Sequence, residues 1–423
     1  MSGPVWRQRD FGMLWSGQIV SEIGSQVTVL ALPTLAIFSF HAGAAAVGLL
    51  VAAQRLPFPV IALGAGAIVD RVRKRSLMVV CNLARAAILV AIPVLAAAGA
   101  LQLWHLFVAA LAMGVFSVFF DLAYLAYVPM LVRPDQLLEA NSRLEVTWSA
   151  GALAGPGLGG LLVQAVGAAR AVLCDAASFL VSTASLLAIR HREPRIASPG
   201  RRHMLREVGE GLTHVFGNPV LRAQLLCLTL AGVFAHAYEA PLFVFAYGRL
   251  HLSPGLLGAV LASTGAGALL GSVVASRVIA LLGVGRTMAF TDAVSIGLFA
   301  AIPLAVFVPP AALLFPLFIV TGAVGTAGNI AQMTLRQSLS PRRLQGRMSS
   351  VFRAFFWGAW PLGNLLGGLL AASIGAVTTL WLMSLLGALA SFSILFTPLW
   401  HVRDFPVGAP IGLEPPLTDM PGS

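Results

Sequence analysis

Residues 105–131 read HLFVAALAMGVFSVFFDLAYLAYVPML, and Asp121 is the only aspartate, glutamate, lysine or arginine among them. A helix needs about 20 mostly apolar residues to cross the hydrocarbon core of a bilayer. This stretch therefore predicts a membrane-spanning helix with one carboxylate in its interior. Such a group costs at least about 2.5–3.5 kcal/mol near the middle of the bilayer, so it usually faces a cavity or a partner.

The composition of the whole chain agrees with this stretch. Hydrophobic residues make up 58% of the 423 residues and charged residues only 10%, whereas soluble globular chains carry roughly 25% charged residues. The mean hydropathy is +0.88. These values exclude a soluble enzyme, a disordered chain and a disulfide-rich scaffold, and they leave lipid as the solvent of the chain.

Twelve apolar runs of spanning length follow one another along the sequence. We therefore expect an all-α membrane protein with twelve transmembrane helices. The length of the first run, and Glu22 inside it, indicate a span rather than a cleaved signal. The runs cover about residues 12–38, 46–69, 76–98, 105–131, 141–166, 171–189, 219–247, 254–282, 287–308, 311–338, 348–373 and 377–400.

Basic residues are concentrated in every second loop and in the two tails. The formal net charge is +11, and most of the 27 lysines and arginines lie after even-numbered runs or near the chain ends. Basic loops of membrane proteins face the cytoplasm. We therefore expect a multi-pass protein of a bacterial plasma membrane with both termini in the cytoplasm. The same placement argues against binding of nucleic acid, which this charge would suggest in a soluble protein.

The sequence divides into two parts that resemble each other weakly at an offset of about 206 residues. Residues 69–72 after the second run align with 275–278 after the eighth, and Pro134 aligns with Pro341. Two six-helix bundles of this kind suit a transporter that binds its substrate between them. We expect an N-terminal bundle over 1–190, a basic cytoplasmic linker with an amphipathic helix over 191–218, a C-terminal bundle over 219–400 and a disordered cytoplasmic tail over 401–423.

Motifs for nucleotides, cofactors and metals are missing from the sequence. Lys74 is the only lysine and follows Arg73, whereas a phosphate-binding loop needs glycine before its lysine. The glycine-rich stretch 155–160 lies inside an apolar run, where a dinucleotide-binding turn does not form. The three cysteines lie singly inside apolar runs. We expect no nucleotide, no cofactor and no metal.

Two motifs resemble those of the major facilitator superfamily. Residues 66–75, GAIVDRVRKR, are similar to the signature of the loop between helices 2 and 3, with Gly66, Asp70, Arg71 and Arg75 in matching positions. Residues 151–160, GALAGPGLGG, are similar to the antiporter signature of helix 5. Residues 119–124, 139–144 and 175–180 also look like the drug:proton antiporter branch that includes macrolide efflux proteins and the enterobactin exporter. The matching residues of the helix 5 signature are Gly151, Gly155, Pro156, Gly159 and Gly160.

The resemblance implies a role for each motif. It implies that Asp70 meets the start of helix 11, near Ser349 and Ser350, when the cytoplasmic side is closed, because a helix N-terminus stabilises a carboxylate. The alternative is a solvated basic loop. In helix 5, glycines four residues apart share one face and allow close packing, and Pro156 kinks the helix. The helix 5 signature implies antiport rather than symport.

Four ionisable residues share the middle depth of the N-terminal half. At about 1.5 Å per residue, Glu22, Arg85 and Asp121 lie about 14–18 Å from the cytoplasmic ends of their helices, and Arg55 lies about 22 Å from its own. They form either two permanent salt bridges or a proton site in which the arginine partner changes with conformation. We rank Asp121 first and Glu22 second as proton carriers. Arg55 and Arg85 are then charge partners, or contacts for an anionic group of the substrate.

The C-terminal half holds a second set of buried charges. Asp292 and Arg353 both lie about 9 Å from the cytoplasmic ends of their helices, and we expect them to form a structural salt bridge. Glu239 and Asp175 lie toward the outer side. Glu239 is a candidate for binding a cation on entry or exit.

Together these features predict a secondary active transporter rather than an enzyme. It would export small hydrophobic or amphipathic molecules, drug-like or siderophore-like, by proton antiport with alternating access. Its partners are then a small-molecule substrate, protons and the lipid bilayer, and a monomer suffices. One alternative is a lysophospholipid or lipid flippase on the same fold, with a lateral opening between helices. Another is a non-transporting membrane sensor or scaffold, against which the buried acids count.

Overall fold

The computed structural model describes residues 5, 8–133, 136–191, 193 and 201–405, and every regular element in these ranges is helical. Three 3₁₀ segments, Leu298–Val306, Phe392–Phe396 and Pro398–His401, follow α12 and α15. In chain order the helices are α1 (Arg9–Phe40), α2 (Ala44–Arg55), α3 (Pro57–Val69), α4 (Lys74–Ala97), α5 (Leu103–Leu131), α6 (Leu137–Val166), α7 (Ala168–Ala188), α8 (Arg201–Gly217), α9 (Pro219–His236), α10 (Glu239–Gly248), α11 (Pro254–Leu282), α12 (Val284–Gly297), α13 (Pro310–Ser338), α14 (Arg342–Ile374) and α15 (Ala376–Ser391).

Ten helical segments formed by these helices are long and apolar enough to cross a membrane. Some of them join two consecutive pieces, as α2 with α3 and α9 with α10. The helices α6, whose apolar part is Ala150–Val166, and α14, which carries basic residues over its first turns, complete a set of twelve. Helices satisfy every backbone polar group within one segment, as lipid requires. The predicted all-α, twelve-helix fold class is confirmed.

Polar caps and glycines set the ends of several helices. At the start of α9, the Asn218 side chain accepts from the backbone N–H groups of Val220 and Leu221 at 2.9 and 3.2 Å. Gly167 and Gly283 take φ values of 83° and 81° between α6 and α7 and between α11 and α12. Glycine adopts this backbone conformation at little cost. Because these turns are so short, the next helix runs antiparallel to the preceding one.

Helices α1–α7 form one half of the bundle and α9–α15 the other, and the halves meet unequally at its two ends. We call the end with the start of α1 and the end of α15 the terminus side, and the opposite end the far side. On the far side one apolar core takes residues from both halves, among them Leu50 and Phe243. On the terminus side Tyr127 and Met288 belong to separate cores, one in each half. The described halves therefore pack together from the far side to the middle of the bundle, where Phe58 meets Trp357, and their terminus-side cores are separate.

Two backbone crossings join the halves on the far side. A Cβ added to Gly48 of α2 would lie 2.8 Å from the Cα of Gly368 of α14. In the same way, a Cβ added to Gly160 of α6 would lie 2.9 Å from the Cα of Gly258 of α11. Only residues without a side chain allow helices to approach this closely. The two crossings connect α2 with α14 and α6 with α11.

The linker contains a helix that packs on the C-terminal half. We expected an amphipathic helix within residues 191–218, and α8 (Arg201–Gly217) lies within this range. Its residues Leu212 and Val215 lie in an apolar cluster with Leu221, Met348 and Phe352. The linker residues 192 and 194–200 lie outside the described residues.

The start of the C-terminal tail differs from the expected disorder over 401–423. The carbonyl oxygens of Arg403 and Val402 accept from the backbone N–H groups of Val284 and Gly285 at 3.0 and 2.9 Å. The first N–H groups of α12 have no partner within their own helix, so residues 402 and 403 satisfy them. Phe405 packs on the same core cluster as Val284. Residues 406–423 lie outside the described residues.

Candidate functional site

Glu22 of α1 lies against a glycine face of α6. A Cβ added to Gly151 would lie 2.6 Å from Cγ of Glu22, and Gly155 faces Gln26 in the same way one turn further along α1. The Gln26 amide donates to Glu22 Oε1 at 3.4 Å. The missing side chain of Gly151 therefore gives Glu22 room to lie, half-buried, between the two helices.

Arg85 of α4 is enclosed by aromatic rings rather than by a carboxylate. Its Cζ lies 4.4 Å from the ring centroid of Phe120 and 4.2 Å from that of Phe179. Its guanidinium also donates to Asn82 Oδ1 and reaches Ser117 Oγ at 3.5 Å. Cation–π contacts strengthen when the cation is desolvated, and Arg85 is only 5% exposed. Arg85 is thus a positive charge held in one position.

Asp121 of α5 follows Phe120 and is only partly buried. Arg85, Arg55 and Arg353 are the cations close enough to interact with its charge. Its carboxylate makes no hydrogen bond or salt bridge within the part of the chain that the structure describes. Charge interactions also join Glu22 to Asp121 and to both Arg55 and Arg85. The four charges therefore lie close enough to interact, and we call them the charged layer; no direct salt bridge joins them in the described residues.

Arg55 connects this layer to the other half. It ends α2 just before Pro57 begins α3, and proline has no N–H to continue the helical hydrogen bonds. The guanidinium Cζ lies 4.2 Å from the ring centroid of Trp360 of α14. Three acids lie close enough to interact with the charge of Arg55: Glu239 of α10 in the other half, and Glu22 and Asp121 in its own half. Arg55 thus lies between acids of both halves.

Glu239 belongs to a polar cluster that the sequence did not reveal. It accepts from Trp360 Nε1 and from Asn364 Nδ2, both at 3.0 Å, and His236 Nδ1 lies 3.1 Å from its Oε1. The His236 ring also stacks on the Trp360 ring, with 4.3 Å between the centroids. The available signal was the four-residue spacing of Trp360 and Asn364, which places both on one helix face. These contacts hold Glu239 where α9 ends and α10 begins.

Asp175 of α7 is a fully buried acid with close partners. It is 0% exposed, and it accepts from the hydroxyl of Thr28 and, at 3.1 Å, from that of Ser178. Thr28 belongs to α1, so the carboxylate joins α1 to α7. A Cβ added to Gly24 of α1 would lie 3.0 Å from Asp175 Oδ1, and close packing therefore surrounds this acid.

The expected salt bridge between Asp292 and Arg353 is not formed in the described residues. Asp292 of α12 instead accepts from Gln332 Nε2 of α13, at 3.0 and 3.2 Å to its two oxygens. Arg353 of α14 is exposed. The reason is the arrangement of the helices, since α12 packs mainly against α13 and α15 and not against α14. Equal depth in the membrane does not make two helices neighbours.

Asp70, Gly66 and Arg71 of the predicted gating loop lie at the end of α3 on the terminus side. The Asp70 N–H donates to the Gly66 carbonyl at 3.0 Å, and Arg71 is exposed. Ser349 and Ser350, the implied partners of the Asp70 carboxylate, are exposed at the start of α14. No hydrogen bond joins them to Asp70 among the described residues. The implied latch is thus not engaged where the halves are apart.

Arg75 of the same loop joins helices of its own half. Its guanidinium donates to the carbonyls of Leu186 and Leu187 at the end of α7, at 2.8 and 2.7 Å. Sequence reasoning missed its neighbour Glu193, whose carboxylate accepts from the backbone N–H groups of Lys74 and Arg75, both at 2.7 Å. A carboxylate is favoured at the N-terminus of a helix and a cation at the C-terminus. Both charges therefore stabilise the loop between α3 and α4.

The antiporter motif, residues 151–160 of the fifth predicted span, lies in α6, and its glycines lie on two faces of that helix. Gly151, Gly155 and Gly159 face α1 of their own half, whereas Gly160 faces α11 of the other half. The Pro156 carbonyl also points toward α11, beside Gly258. The glycines with four-residue spacing therefore make room for side chains of α1. The close approach to the other half occurs at Gly160.

Comparison with known proteins agrees with this architecture. Residues 3–409 match the family described as transmembrane secretion effector. The chain is 30% identical to the multidrug efflux pump Tap of Mycolicibacterium fortuitum over 397 aligned residues. This alignment covers 89% of this chain and 92% of that pump. It is 26% identical over 389 residues to Tap of Mycobacterium tuberculosis (strain H37Rv), covering 87% of this chain and 88% of that pump.

Solved transporter structures share the fold at low sequence identity. A bacterial homologue of the iron transporter ferroportin, in an inward-facing state, has a TM-score of 0.71 at 15% identity and covers 91% of this chain and 98% of its own. A bacterial homologue of the lysosomal transporter Spinster, inward-facing and unoccupied, has a TM-score of 0.71 at 14% identity, over 97% and 100%. Such similarity shows the fold alone. The family match shows the rest: the chain is a membrane transporter, not an enzyme, and belongs to the transmembrane secretion effector family of the major facilitator superfamily.

Proposed function

We propose that this transporter exports small hydrophobic or amphipathic molecules across a bacterial plasma membrane in exchange for protons. The observation that carries the proposal is the layer in which Glu22 and Asp121 lie without a fixed arginine partner. Ionisable groups inside a membrane bundle usually mark an ion pathway. The relatives named as multidrug efflux pumps support export of small molecules.

The packing of the halves supports transport by alternating access. The basic loops favour a cytoplasmic terminus side, and the shared core packs the halves together on the far side. This state would load its substrate from the cytoplasm. Rocking of the halves would then close the cytoplasmic side and bring Asp70 to the start of α14.

The charged layer supplies the coupling in this scheme. A carboxylate in a water-poor site takes up a proton more readily, and an approaching guanidinium favours its release. Arg85 is held by two phenylalanine rings, so Arg55, at the broken end of α2, is the arginine that changes its partner. Its approach to Glu22 or Asp121 expels a proton, and its withdrawal lets the proton return. Protonation then follows the position of the halves.

The test is Asp121→Asn, which keeps the size of the side chain and removes its proton. A pump-deficient host is first screened for growth protection against ethidium, erythromycin and tetracycline, and the best-protected compound becomes the probe. Proton release on addition of this probe is then measured in inside-out vesicles with a pH-sensitive dye. We expect release to fall to the level of vesicles without the transporter.

The matched control is Asp292→Asn. This residue is also a carboxylate within a span, and asparagine keeps an acceptor for Gln332. We expect the control to retain proton release, with both variants inserted at wild-type levels. Wild-type coupling in Asp121→Asn would remove this residue from the mechanism. Transfer of a lysophospholipid without any proton release would instead point to a flippase.

A further inference from the structure

A buried hydrogen-bond acceptor beside Glu239 is unused. Asn364 of α14 is 0% exposed. Its Nδ2 donates to Glu239 Oε2 at 3.0 Å, whereas its Oδ1 has no hydrogen-bond partner among the described residues. Leaving a buried acceptor unpaired is costly. The carboxylate and the unpaired amide oxygen together are therefore suited to a donor that arrives from outside the chain.

An aromatic face lies beside these two acceptors. Trp360 donates to Glu239 through its indole N–H, and the Arg55 guanidinium stacks over its ring at 4.2 Å. Tryptophan offers the strongest cation–π face of any side chain. Arg55 comes from the other half and makes no salt bridge with Glu239 in the described structure. A cation of the protein thus rests on the face that a cationic ligand would use.

We propose that Glu239, Asn364 and Trp360 recognise the protonated amine or guanidinium group of an amphipathic organic cation, and that Arg55 occupies this site until the cation displaces it. The carboxylate and the amide oxygen accept N–H donors, and the indole face takes the positive charge. His236 satisfies the carboxylate from within its own half. A cluster that only joined α10 to α14 would need neither the unpaired acceptor nor an arginine from the opposite half.

The inference rests on the proposed export function and names the substrate class of the same layer. The remaining acids that act on Arg55 are Glu22 and Asp121. A displaced guanidinium would therefore move toward the carboxylates proposed to carry the proton. A single movement of Arg55 would therefore couple binding of the organic cation to release of the proton.

The experiment is equilibrium binding to the full-length protein in lipid nanodiscs, with no gradient present. The probes are dansylcadaverine, a protonated primary amine, and its N-acetyl derivative, which is uncharged and otherwise matched. Wild type should bind the amine at least about tenfold more tightly, because a charge-assisted hydrogen bond separates the two probes. Glu239→Gln keeps an acceptor for Trp360 and Asn364 but loses the charge. It should bring the two affinities to within about twofold.

Arg55→Met tests the displacement. Removing the internal cation should tighten amine binding at least about threefold, because the site is then no longer occupied. The matched control is Arg353→Met, which removes an arginine that also acts on the layer but does not stack on Trp360. We expect this control to leave amine affinity unchanged. A gain of binding in Arg55→Met is a result that a misfolded variant does not give.

Two results would overturn the proposal. An amine preference that survives Glu239→Gln would exclude the recognition site. Amine affinity that falls or stays the same in Arg55→Met, or that rises equally in Arg353→Met, would exclude the displacement. Since the assay needs no proton gradient, failure of proton antiport in vesicles would leave the amine preference intact, and the two proposals fail separately.

Discussion

Replacing Gly151 with alanine tests whether α6 acts by making room for Glu22. The new methyl carbon would lie 2.6 Å from Glu22 Cγ and 3.5 and 3.6 Å from its Cβ and Cδ. Carbon atoms make favourable contacts at about 3.5–4.0 Å, so Cγ must move by about 1 Å. Cγ belongs to a rotatable side chain. The strain is therefore that of an off-rotamer side chain, about 0.5–1.5 kcal/mol, rather than that of a displaced helix.

We expect Gly151→Ala to fold and to couple poorly, because the Glu22 carboxylate leaves its position beside Gln26. A strain of about 0.5–1.5 kcal/mol corresponds to a loss of about 2- to 12-fold. Proton release in inside-out vesicles measures the coupling, and the thermal unfolding midpoint of the purified protein measures the fold. The matched control is Gly64→Ala, because a Cβ added to Gly64 meets no atom within 4 Å.

A comparison with Gly160→Ala decides which face of α6 matters. Its new methyl would lie 2.9 Å from Cα of Gly258, across the boundary between the halves. Backbone atoms cannot rotate away, so this substitution should impair the approach of the halves themselves. If Gly151→Ala couples like wild type while Gly160→Ala does not, the motif acts between the halves, and the reasoning about Glu22 is refuted.

Two further predictions concern contacts away from the charged layer. Tyr247→Phe removes the far-side hydrogen bond to Thr34, 2.8 Å between the hydroxyl oxygens. The loss of about 0.5–1.5 kcal/mol should raise the far-side-open population about 2- to 12-fold, seen as longer distances between spin labels across that side; an unchanged distribution would contradict it. Gln332→Leu leaves the Asp292 carboxylate without its donor and should lower the free energy of unfolding by about 1–3 kcal/mol. Wild-type thermal stability in Gln332→Leu would show that this contact is dispensable.

The spans could be predicted from the sequence because hydrophobicity is a local property. The eighth predicted run, about 254–282, has the same bounds as α11. The ordered start of the C-terminal tail could not be predicted, because its partners at Val284 and Gly285 belong to a distant helix. Contacts between segments far apart in sequence leave no periodic pattern in either segment.

Sequence reasoning gives an expected depth for the site residues but not their direction around the helices. Counting residues from the helix ends predicts one level for Glu22, Arg85 and Asp121, and in the structure Arg85 lies close enough to both acids to interact with their charges. The same count paired Asp292 with Arg353, although their helices are not neighbours. A rise per residue fixes height alone. Which helices face each other depends on packing of the whole bundle.

The two glycine crossings on the far side, at Gly48 with Gly368 and Gly160 with Gly258, have a mechanical consequence. Interlocked side chains resist sliding because each knob must leave its hole, and tightly packed interiors transmit that strain. Where glycine backbones pack directly against each other, no interlocked side chains oppose sliding of the helices. In the proposed alternating-access cycle, the two crossings would therefore offer little resistance to sliding, whereas the side chains of the shared far-side core would have to separate. The far-side contacts that such a movement would break include this shared core and the hydrogen bond between Thr34 and Tyr247, and a single substitution can remove the hydrogen bond.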